Sequence, residues 1–306
     1  MTQVPMSWLQ LILESPHHSP EQLEDALLQA GALAITLQDA ADRPVLEPLP
    51  GETPLWPQVQ ITGLFAAQTD LHTLEAILRQ RLGNKDFPAC RVESLEERDW
   101  VRVWLDDFHP MRFGRRLWVC PIAPPPPPLP PQTVTVRLDP GLAFGTGTHP
   151  TTALCLEWLD GAELDGKTVI DYGCGSGILA IAAARLGASR VWAVDIDSQA
   201  LSATECNAVR NHVREILALG NPEMLPTMPV DILLANILAG PLLELAPRFS
   251  ALVRPQGRLV LSGILAEQAG QVQAAYTPWF DFDTARRREE WILLQAVRRA
   301  GAIPAE

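Results

Sequence analysis

Long apolar runs are absent from this sequence, and no stretch approaches the ~18 consecutive apolar residues that a membrane-spanning helix needs. The N-terminal segment lacks both a basic stretch and a small-residue cleavage site, so we expect mature sequence there rather than a signal peptide. The five cysteines are scattered singly, and no Cys-x-x-Cys pair occurs. This spacing argues against a disulfide framework or a zinc site and favours a reducing, cytoplasmic environment.

Positive charge is also scarce. The 306 residues include 24 Lys or Arg against 36 Asp or Glu, which gives a net charge of −12. Most of the excess lies in residues 1–100, where 15 acidic residues face 6 basic ones, a balance of −9. Such a surface repels nucleic-acid phosphates and attracts a basic protein partner. Because many cytosolic proteins are acidic, charge alone favours the simpler explanation of solubility.

The first 97 residues predict a small α+β domain. Ser19 before Pro20 opens one helix, which ends at Gly31, and Asp70 opens a second, which ends near Gly83. Short apolar runs predict strands at residues 8–13, 33–37, 59–65 and 90–95. The order strand-helix-strand, strand-helix-strand is the split βαβ, or ferredoxin-like, pattern. Nothing in this domain looks catalytic, so we expect a binding module.

Residues 98–117 predict a linker that contains a short helix. Trp100, Trp104 and Phe108 recur every four residues, which is typical of one helix face. Because the neighbouring charges are mostly acidic, this stripe favours interdomain packing over a platform for stacked bases. Further on, the proline run at 124–131 predicts a stiff loop between strands at 116–120 and 134–138.

Residues 118–306 predict an α/β domain on a parallel, Rossmann-like sheet. Helical segments alternate with apolar strands at residues 168–172, 190–195, 215–219 and 230–235. Ligands bind such sheets at the carboxyl ends of the strands. Those ends carry a glycine loop from Gly173, then Asp195 and Asn236. The sequence therefore predicts the ligand site at this edge.

The glycine loop indicates which ligand binds there. Its glycines are Gly173, Gly175 and Gly177, which spell Gly-x-Gly-x-Gly, whereas dinucleotide sites read Gly-x-Gly-x-x-Gly. Asp171 stands just before the loop, and its carboxylate suits a sulfonium with an amino-acid tail better than a pyrophosphate. Asp195, at the next strand end, can accept both ribose hydroxyls. The loop is a weak signal alone, but with the two acids it predicts S-adenosylmethionine. Cys174 fits a small turn residue rather than a nucleophile.

The stretch at residues 139–152, DPGLAFGTGTHPTT, has no Lys after its glycines and so is not a Walker phosphate loop. We expect it to form the donor's lid, with Phe144 over the sulfonium and glycines such as Gly145 allowing close backbone approach. Thr148 or Thr151 is the predicted cap of the next helix, with Pro150 in its first turn. His149 is expected to shape the loop rather than to move protons.

Asn236 directly follows the predicted strand at 230–235. In methyl-transferring enzymes of this fold, the groups that face the acceptor lie in this slot, and a side-chain amide oxygen there can accept an amine N–H. A helix N-cap is the alternative role for Asn236, and the two are compatible. No Asp, Glu or His stands out as a dedicated base. Asn236 and backbone carbonyls are the candidate acceptors for the amine, and Asn236 is the predicted catalytic residue.

Four strings in this order, DPGLAFGTGTHPTT, DYGCGSGILAIAA, VDID and NILAGPL, resemble the PrmA family, the methyltransferases of large-subunit ribosomal protein L11. The first and last strings are specific to that family, and the middle two are typical of class I methyltransferases at large. The likeness covers essentially the whole chain, including LPGETPLW, GLFAAQTD and FHPMRFG.

This resemblance implies an S-adenosylmethionine-dependent enzyme that methylates lysine side chains and the N-terminal amine of that basic ribosomal protein. It implies an N-terminal ferredoxin-like domain that recognises the substrate and a flexible linker that lets it swing. By motif match, the family's donor-binding positions fall on Thr152, Gly173, Asp195 and Asn236. We expect a monomer in the cytoplasm, with no metal, no membrane and no direct nucleic-acid contact.

Two departures from the family pattern and two alternatives accompany this interpretation. The proline run replaces a mixed polar linker, and Asn221 stands where many such enzymes hold the adenine with an acid.

A nucleic-acid methyltransferase of the same fold is one alternative, but it should carry an Asn/Asp-Pro-Pro-Tyr motif and a basic face. A non-catalytic ribosome-assembly protein with a vestigial donor pocket is the other, against which Asp195 and the glycine loop argue.

Overall fold

The computed structural model describes residues 8–14, 18–40, 56, 58–85, 87–95, 109–122, 130, 132–138 and 147–301. The chain divides into two compact units, Met1–Asp99 and Trp100–Glu306. The predicted linker helix with Trp100, Trp104 and Phe108 lies outside the described residues, as do most of the proline run and the first part of the predicted lid, with Phe144 and Gly145.

The described part of the N-terminal unit contains four strands and two helices in the predicted order. They are β1 (Trp8–Glu14), α1 (Pro20–Gln29), β2 (Ala34–Asp39), β3 (Val59–Ala66), α2 (Leu71–Leu82) and β4 (Ala89–Leu95). The strands form one antiparallel sheet in the order β2-β3-β1-β4. Each β-α-β half therefore contributes one central and one edge strand.

Local capping and an apolar stripe explain why the two helices form where they do. Ser19 and Gln22 make a reciprocal capping box at α1, and the Asp70 side chain accepts the first free N–H groups of α2. Both predicted caps are thus confirmed. The buried faces of the helices and the sheet share one core, which includes Leu13, Leu23, Leu27, Ile61, Phe65, Leu74 and Leu78.

The second unit begins with a small three-stranded sheet. It consists of β5 (Met111–Phe113), β6 (Leu117–Pro121) and β7 (Val134–Leu138), with β6 between the other two. Strand β5 and the first residue of β6 lie inside the predicted linker at 98–117. Buried Asp160 joins this sheet to the following helix, because its carboxylate accepts the backbone N–H groups of Arg115, Arg116 and Leu117.

An eight-stranded sheet forms the centre of the second unit, in the order β10-β9-β8-β11-β12-β15-β13, with β14 also paired to β15. Its strands are β8 (Thr168–Tyr172), β9 (Arg190–Val194), β10 (Leu217–Gly220), β11 (Val230–Asn236), β12 (Val253–Leu265), β13 (Phe280–Phe282), β14 (Arg286–Arg288) and β15 (Trp291–Arg298). Strands β10, β9, β8, β11 and β12 are parallel, as predicted for the first four, and the remaining three pair antiparallel.

Five helices belong to the described part of this unit: α3 (Pro150–Gly161), α4 (Ile178–Arg185), α5 (Ser198–Arg210), α6 (Ala239–Leu252) and α7 (Ala269–Tyr276). Helix α4 is apolar on nearly every side and is almost wholly buried, as expected for a helix covered by its neighbours. Two apolar clusters fill the unit, one including α3 and α4 and the other α6 and α7. The domain is a Rossmann-like α/β fold, as predicted.

None of the helices within the described ranges combines the length and the apolar character that crossing a membrane requires.

Candidate active site

The glycine loop turns sharply between β8 and α4. Gly173, Gly175 and Gly177 all have positive φ, at 77°, 53° and 80°, a conformation that residues with a Cβ rarely adopt. A Cβ on Gly173 would also clash with the side chain of Ile237, and one on Gly177 with that of Thr204. The loop backbone therefore lies against its neighbours with no room for side chains at two of these positions.

Two side chains of α5 hold the loop in place. Thr204 donates a hydrogen bond from its hydroxyl to the carbonyl of Gly175 at 2.9 Å, and Asn207 donates from its amide to the carbonyl of Ser176 at 3.0 Å. Both side chains are buried. Thr204 and Asn207 are not among the residues that the sequence predicts for the site. Their signal is weak but present, since two polar residues three apart fall on the inner face of an amphipathic helix.

Asp171 is buried beneath the loop, with 1% of its surface exposed. Its Oδ2 accepts the N–H of Ala180 at 2.8 Å, while its Oδ1 is buried without a hydrogen-bond partner. Burial raises the pKa of this carboxyl to about 7, the Ala180 hydrogen bond opposes that rise, and the nearby charge of Asp195 adds to it. A buried acceptor without a donor costs free energy, so Oδ1 is suited to receive a cationic ligand group.

Asp195 lies just past β9, on the other side of the loop, and is half-buried. Its Oδ2 accepts the N–H of Gly175 at 2.9 Å, and its Oδ1 accepts the N–H of Asp197 at 3.0 Å. These bonds fix the carboxylate plane. A carboxylate oxygen can accept two hydrogen bonds, and each oxygen of Asp195 accepts one from the backbone. Each therefore retains one acceptor site for a ligand hydroxyl.

Asn236 ends β11, the strand next to β8. Its amide nitrogen donates to the hydroxyl of buried Thr152, in the first turn of α3, at 3.4 Å. Its amide oxygen accepts no hydrogen bond from the residues that the structure describes, and it is available to an amine N–H. Strand order β9-β8-β11 thus brings Asp195, Asp171 and Asn236 to one edge of the sheet, as predicted.

The helix-cap alternative for Asn236 is wrong. Helix α6 begins at Ala239, its N-cap is Leu238, and no side chain caps it. Asn236 is too far upstream to reach the free N–H groups of the first turn. The backbone between them passes over Gly263 of β12, where φ is 80° and a Cβ would clash with the carbonyl of Ile237. Gly263 was not singled out in the sequence, although a glycine inside a strand is a known sign of close backbone approach.

The cap predicted for the helix after the lid is also wrong, because His149 caps α3 instead of Thr148 or Thr151. The His149 Nδ1 accepts the N–H of Thr151 at 3.3 Å and lies 2.7 Å from its hydroxyl. Thr151 is already inside the helix and cannot be its cap. Pro150 is in the first turn, as predicted.

His149 keeps the role that was expected for it, which is to shape the chain. Its ring packs edge-on against Trp291, with 4.8 Å between ring centroids. Burial lowers the pKa of the imidazole, and the nearby charge of Glu289 opposes this shift. The lowered pKa favours the neutral ring, whose Nδ1 can accept the capping hydrogen bond.

Two further residues at the same edge have structural roles. The Asn221 side chain accepts the N–H of Glu223 at 3.1 Å and caps a short 3-10 turn after β10, so its oxygen is engaged in the slot where an adenine-binding acid was considered. Cys174 is buried, with its sulfur 3.5 Å from the hydroxyl of Thr204. Burial raises the pKa of this thiol, which disfavours the thiolate and agrees with a turn residue.

Three features at the carboxyl end of strands β8 and β9 fit S-adenosylmethionine. They are the glycine loop, the buried Asp171 Oδ1 without a hydrogen-bond donor, and the two acceptor sites that remain on Asp195. No group of three or more His, Cys, Asp or Glu side chains within the described residues is arranged to hold a metal ion.

Comparison with known proteins gives the family. The model of the ribosomal protein L11 methyltransferase (PrmA) family matches residues 7–299. The ribosomal protein L11 methyltransferase of Cellvibrio japonicus is 52% identical over 294 residues, which cover 96% of this chain and 99% of that protein. The Klebsiella pneumoniae protein of the same name is 54% identical over 288 residues, 94% of this chain and 97% of that one.

A solved structure supports the same family assignment. The ribosomal protein L11 methylase of Lactobacillus delbrueckii subsp. bulgaricus aligns with a TM-score of 0.58 and 36% identity, over 63% of this chain and 100% of that chain. The family match spans both compact units and includes every described strand and helix. This chain therefore belongs to the ribosomal protein L11 methyltransferase family.

Proposed function

We propose that this protein transfers methyl groups from S-adenosylmethionine to ribosomal protein L11, at lysine side chains and at the N-terminal amine. The observation that carries the proposal is the common edge of strands β9, β8 and β11, where Asp195, Asp171 and Asn236 lie side by side. In a member of this family, that edge provides groups for the donor and an amide for the acceptor.

The donor, when bound, supplies a methyl group activated by a sulfonium centre. Oδ1 of Asp171 would accept a hydrogen bond from the ammonium group of its amino-acid end, and the backbone at Gly173 and Gly175 would allow close approach. The spare acceptor sites of Asp195 suit the ribose hydroxyls. Thr152 completes the wall and holds Asn236 in place through its hydroxyl.

The acceptor amine must lose a proton before its lone pair can attack. A lysine of pKa near 10.4 is only ~0.04% neutral at pH 7, which corresponds to roughly 4.6 kcal/mol. The proposed chemistry requires the site to lower this cost with acceptors for the N–H groups of the neutral amine and with a pocket that keeps water away. The amide oxygen of Asn236 accepts one of these N–H groups and aims the lone pair, which makes Asn236 the proposed catalytic residue.

The N-terminal unit is proposed to recognise the substrate. We assign residues 1–97 to a ferredoxin-like recognition domain, 98–117 to a linker and 118–306 to the methyltransferase domain. The balance of −9 in residues 1–100 suits a basic ribosomal protein better than RNA. The protein is proposed to act as a cytoplasmic monomer without contact to nucleic acid.

Transfer of a labelled methyl group to purified ribosomal protein L11 tests the proposal, with ribosomal RNA as the competing acceptor. We expect label in the protein alone, and mass spectrometry of its peptides should place the methyl groups on lysines and on the N-terminal amine. Label in RNA would favour the nucleic-acid alternative. Absence of any heat on titration with S-adenosylmethionine would favour a vestigial donor pocket.

A further inference from the structure

A cavity with a volume of about 540 Å³ lies at the edge of the eight-stranded sheet opposite to the donor site. It is bounded by the starts of β8, β11 and β12, by the end of α3 and by β14. Lys167 lies just before β8, whereas Gly173 lies just after it. Five residues of strand at ~3.3 Å each place the two sites roughly 17 Å apart. The cavity is therefore separate from the donor site.

The charge of this cavity is opposite to that of the chain. Its walls include four cationic side chains, Lys167, Arg254, Arg258 and Arg286, against two carboxylates, Glu163 and Asp231. The chain as a whole carries −12. A concave cluster of positive charge on an acidic protein concentrates anions locally.

One of the two carboxylates is already occupied by donors. Asp231 accepts the N–H of Thr168 at 2.8 Å, the Thr168 hydroxyl at 2.7 Å and the Nε of Arg254 at 2.8 Å. Although burial alone would raise it, the hydrogen bonds from Thr168 and Arg254 hold the pKa of Asp231 below its usual value. Asp231 thus orients Arg254, whose Nη1 also donates to the carbonyl of Pro255 at 3.2 Å. The Nη2 group is left to face a ligand.

The other cations are neutralised weakly or not at all. Arg258 pairs with Asp283 at 3.4 Å, and both side chains are about half exposed. Across the described residues, neither Lys167 nor Arg286 has an ion-pair partner. The lining therefore has a net charge of +2, from four cations against Asp231 and Glu163, and two of its cations are in no ion pair among the described residues.

We infer that this cavity binds a small anion with several phosphate groups, of about nucleotide size. Guanidinium groups match phosphate oxygens in pairs, and lysine adds a point charge. The volume falls in the usual range for small-molecule sites, ~300–1,000 Å³, and exceeds what one phosphate would fill. Trp158 is buried and donates its N–H to Gln295 at 2.6 Å, so it presents no open face for a base. The cavity therefore recognises the phosphate groups of the anion rather than a base.

Calorimetric titration of the full chain with inorganic tripolyphosphate, at about 0.05 M salt to limit screening, tests this inference. We expect saturable one-to-one binding that S-adenosylmethionine does not displace. Arg286→Gln and Lys167→Gln should each weaken it about tenfold, the effect of losing one charge-assisted contact. Neither side chain has an ion-pair partner to lose, so both variants should keep the wild-type unfolding midpoint.

Arg185→Gln is the matched control, because Arg185 ends α4 at the same edge of the sheet without lining the cavity. It removes the same charge and should leave the affinity within about twofold of wild type. Equal weakening by Arg185→Gln would reduce the effect to net charge and overturn the site. So would the absence of saturable binding, displacement by S-adenosylmethionine, or site-dependent binding of a short single-stranded RNA but not of tripolyphosphate.

Discussion

The amide nitrogen of Asn236 donates a hydrogen bond to the hydroxyl of Thr152 at 3.4 Å, across 84 positions of sequence. This contact joins the end of β11 to the first turn of α3, the helix that follows the predicted lid. Because the nitrogen is engaged, the amide oxygen is the atom left for an incoming amine. The pair therefore sets the orientation on which the proposed chemistry depends.

Replacing Asn236 by Ala should lower kcat for methyl transfer about a hundredfold, as loss of a preorganised polar group in a dry site does. The Kd for S-adenosylmethionine should change by less than about threefold, because the lost oxygen faces the acceptor. Steady-state kinetics and calorimetry measure the two quantities. Turnover equal to wild type would remove Asn236 from the mechanism.

Replacing Thr152 by Val removes the hydroxyl and keeps the shape of the side chain. We expect kcat to fall about tenfold, since the amide of Asn236 can then rotate, while Thr152→Ser should keep most of the activity. Thr152 is buried, so thermal unfolding must be compared as well. If Ser and Val variants lose activity equally, packing rather than the hydrogen bond is responsible.

Donor binding should depend on pH through Asp171. Its pKa is raised to about 7, so the carboxyl is mostly protonated in the free protein below that pH. A cationic group next to Oδ1 favours the charged form, and donor affinity should rise between about pH 5.5 and about pH 7. Calorimetry at both values measures this. Asp171→Asn should bind more weakly at neutral pH and lose the pH dependence, and an unchanged dependence in that variant would place the titrating group elsewhere.

The same raised pKa affects the stability of the free protein, and the sign is fixed by linkage. Between the unfolded value of 3.8 and about 7, the native state binds the extra proton. The free energy of unfolding therefore falls as pH rises through this window, by an amount on the order of 4 kcal/mol at most. Asp171→Asn should flatten this fall in urea denaturation curves, whereas Asp165→Asn, at an exposed position, should not. Parallel curves for wild type and Asp171→Asn would contradict the assignment.

Gly263→Ala should displace the backbone beside Asn236, although Gly263 itself is not proposed to contact the donor or the acceptor amine. The residue has φ of 80°, and a Cβ there would clash with the carbonyl of Ile237, next to Asn236. We expect a loss of about 1–3 kcal/mol in unfolding free energy together with lower kcat. Gly270→Ala is the control, because Gly270 lies in α7 with open space around it. That variant should be neutral or slightly stabilising, and equal effects at the two positions would refute this explanation.

Much of the fold could be predicted because its signals are local. Ser19 and Asp70 cap their helices as the sequence indicates, and the strands at 168–172 and 230–235 appear within one residue of their predicted bounds. Right-handed parallel connections then place their carboxyl ends at one edge. The caps of α3 and α6 could not be predicted in the same way. An imidazole at position 149 substitutes for the usual oxygen, and α6 starts without a side-chain cap.

The sequence by itself determined the glycine loop, its flanking acid, the acid after the next strand and the amide after the fourth, because these depend on residue type and short spacing. Only the tertiary structure decided that Asp171 is dry enough to carry a raised pKa and that Thr152 orients Asn236. It also decided that Thr204 and Asn207 hold the loop and that four cations share a cavity at the far edge. Burial and contacts between distant segments arise only when the chain closes on itself, and no local pattern records them.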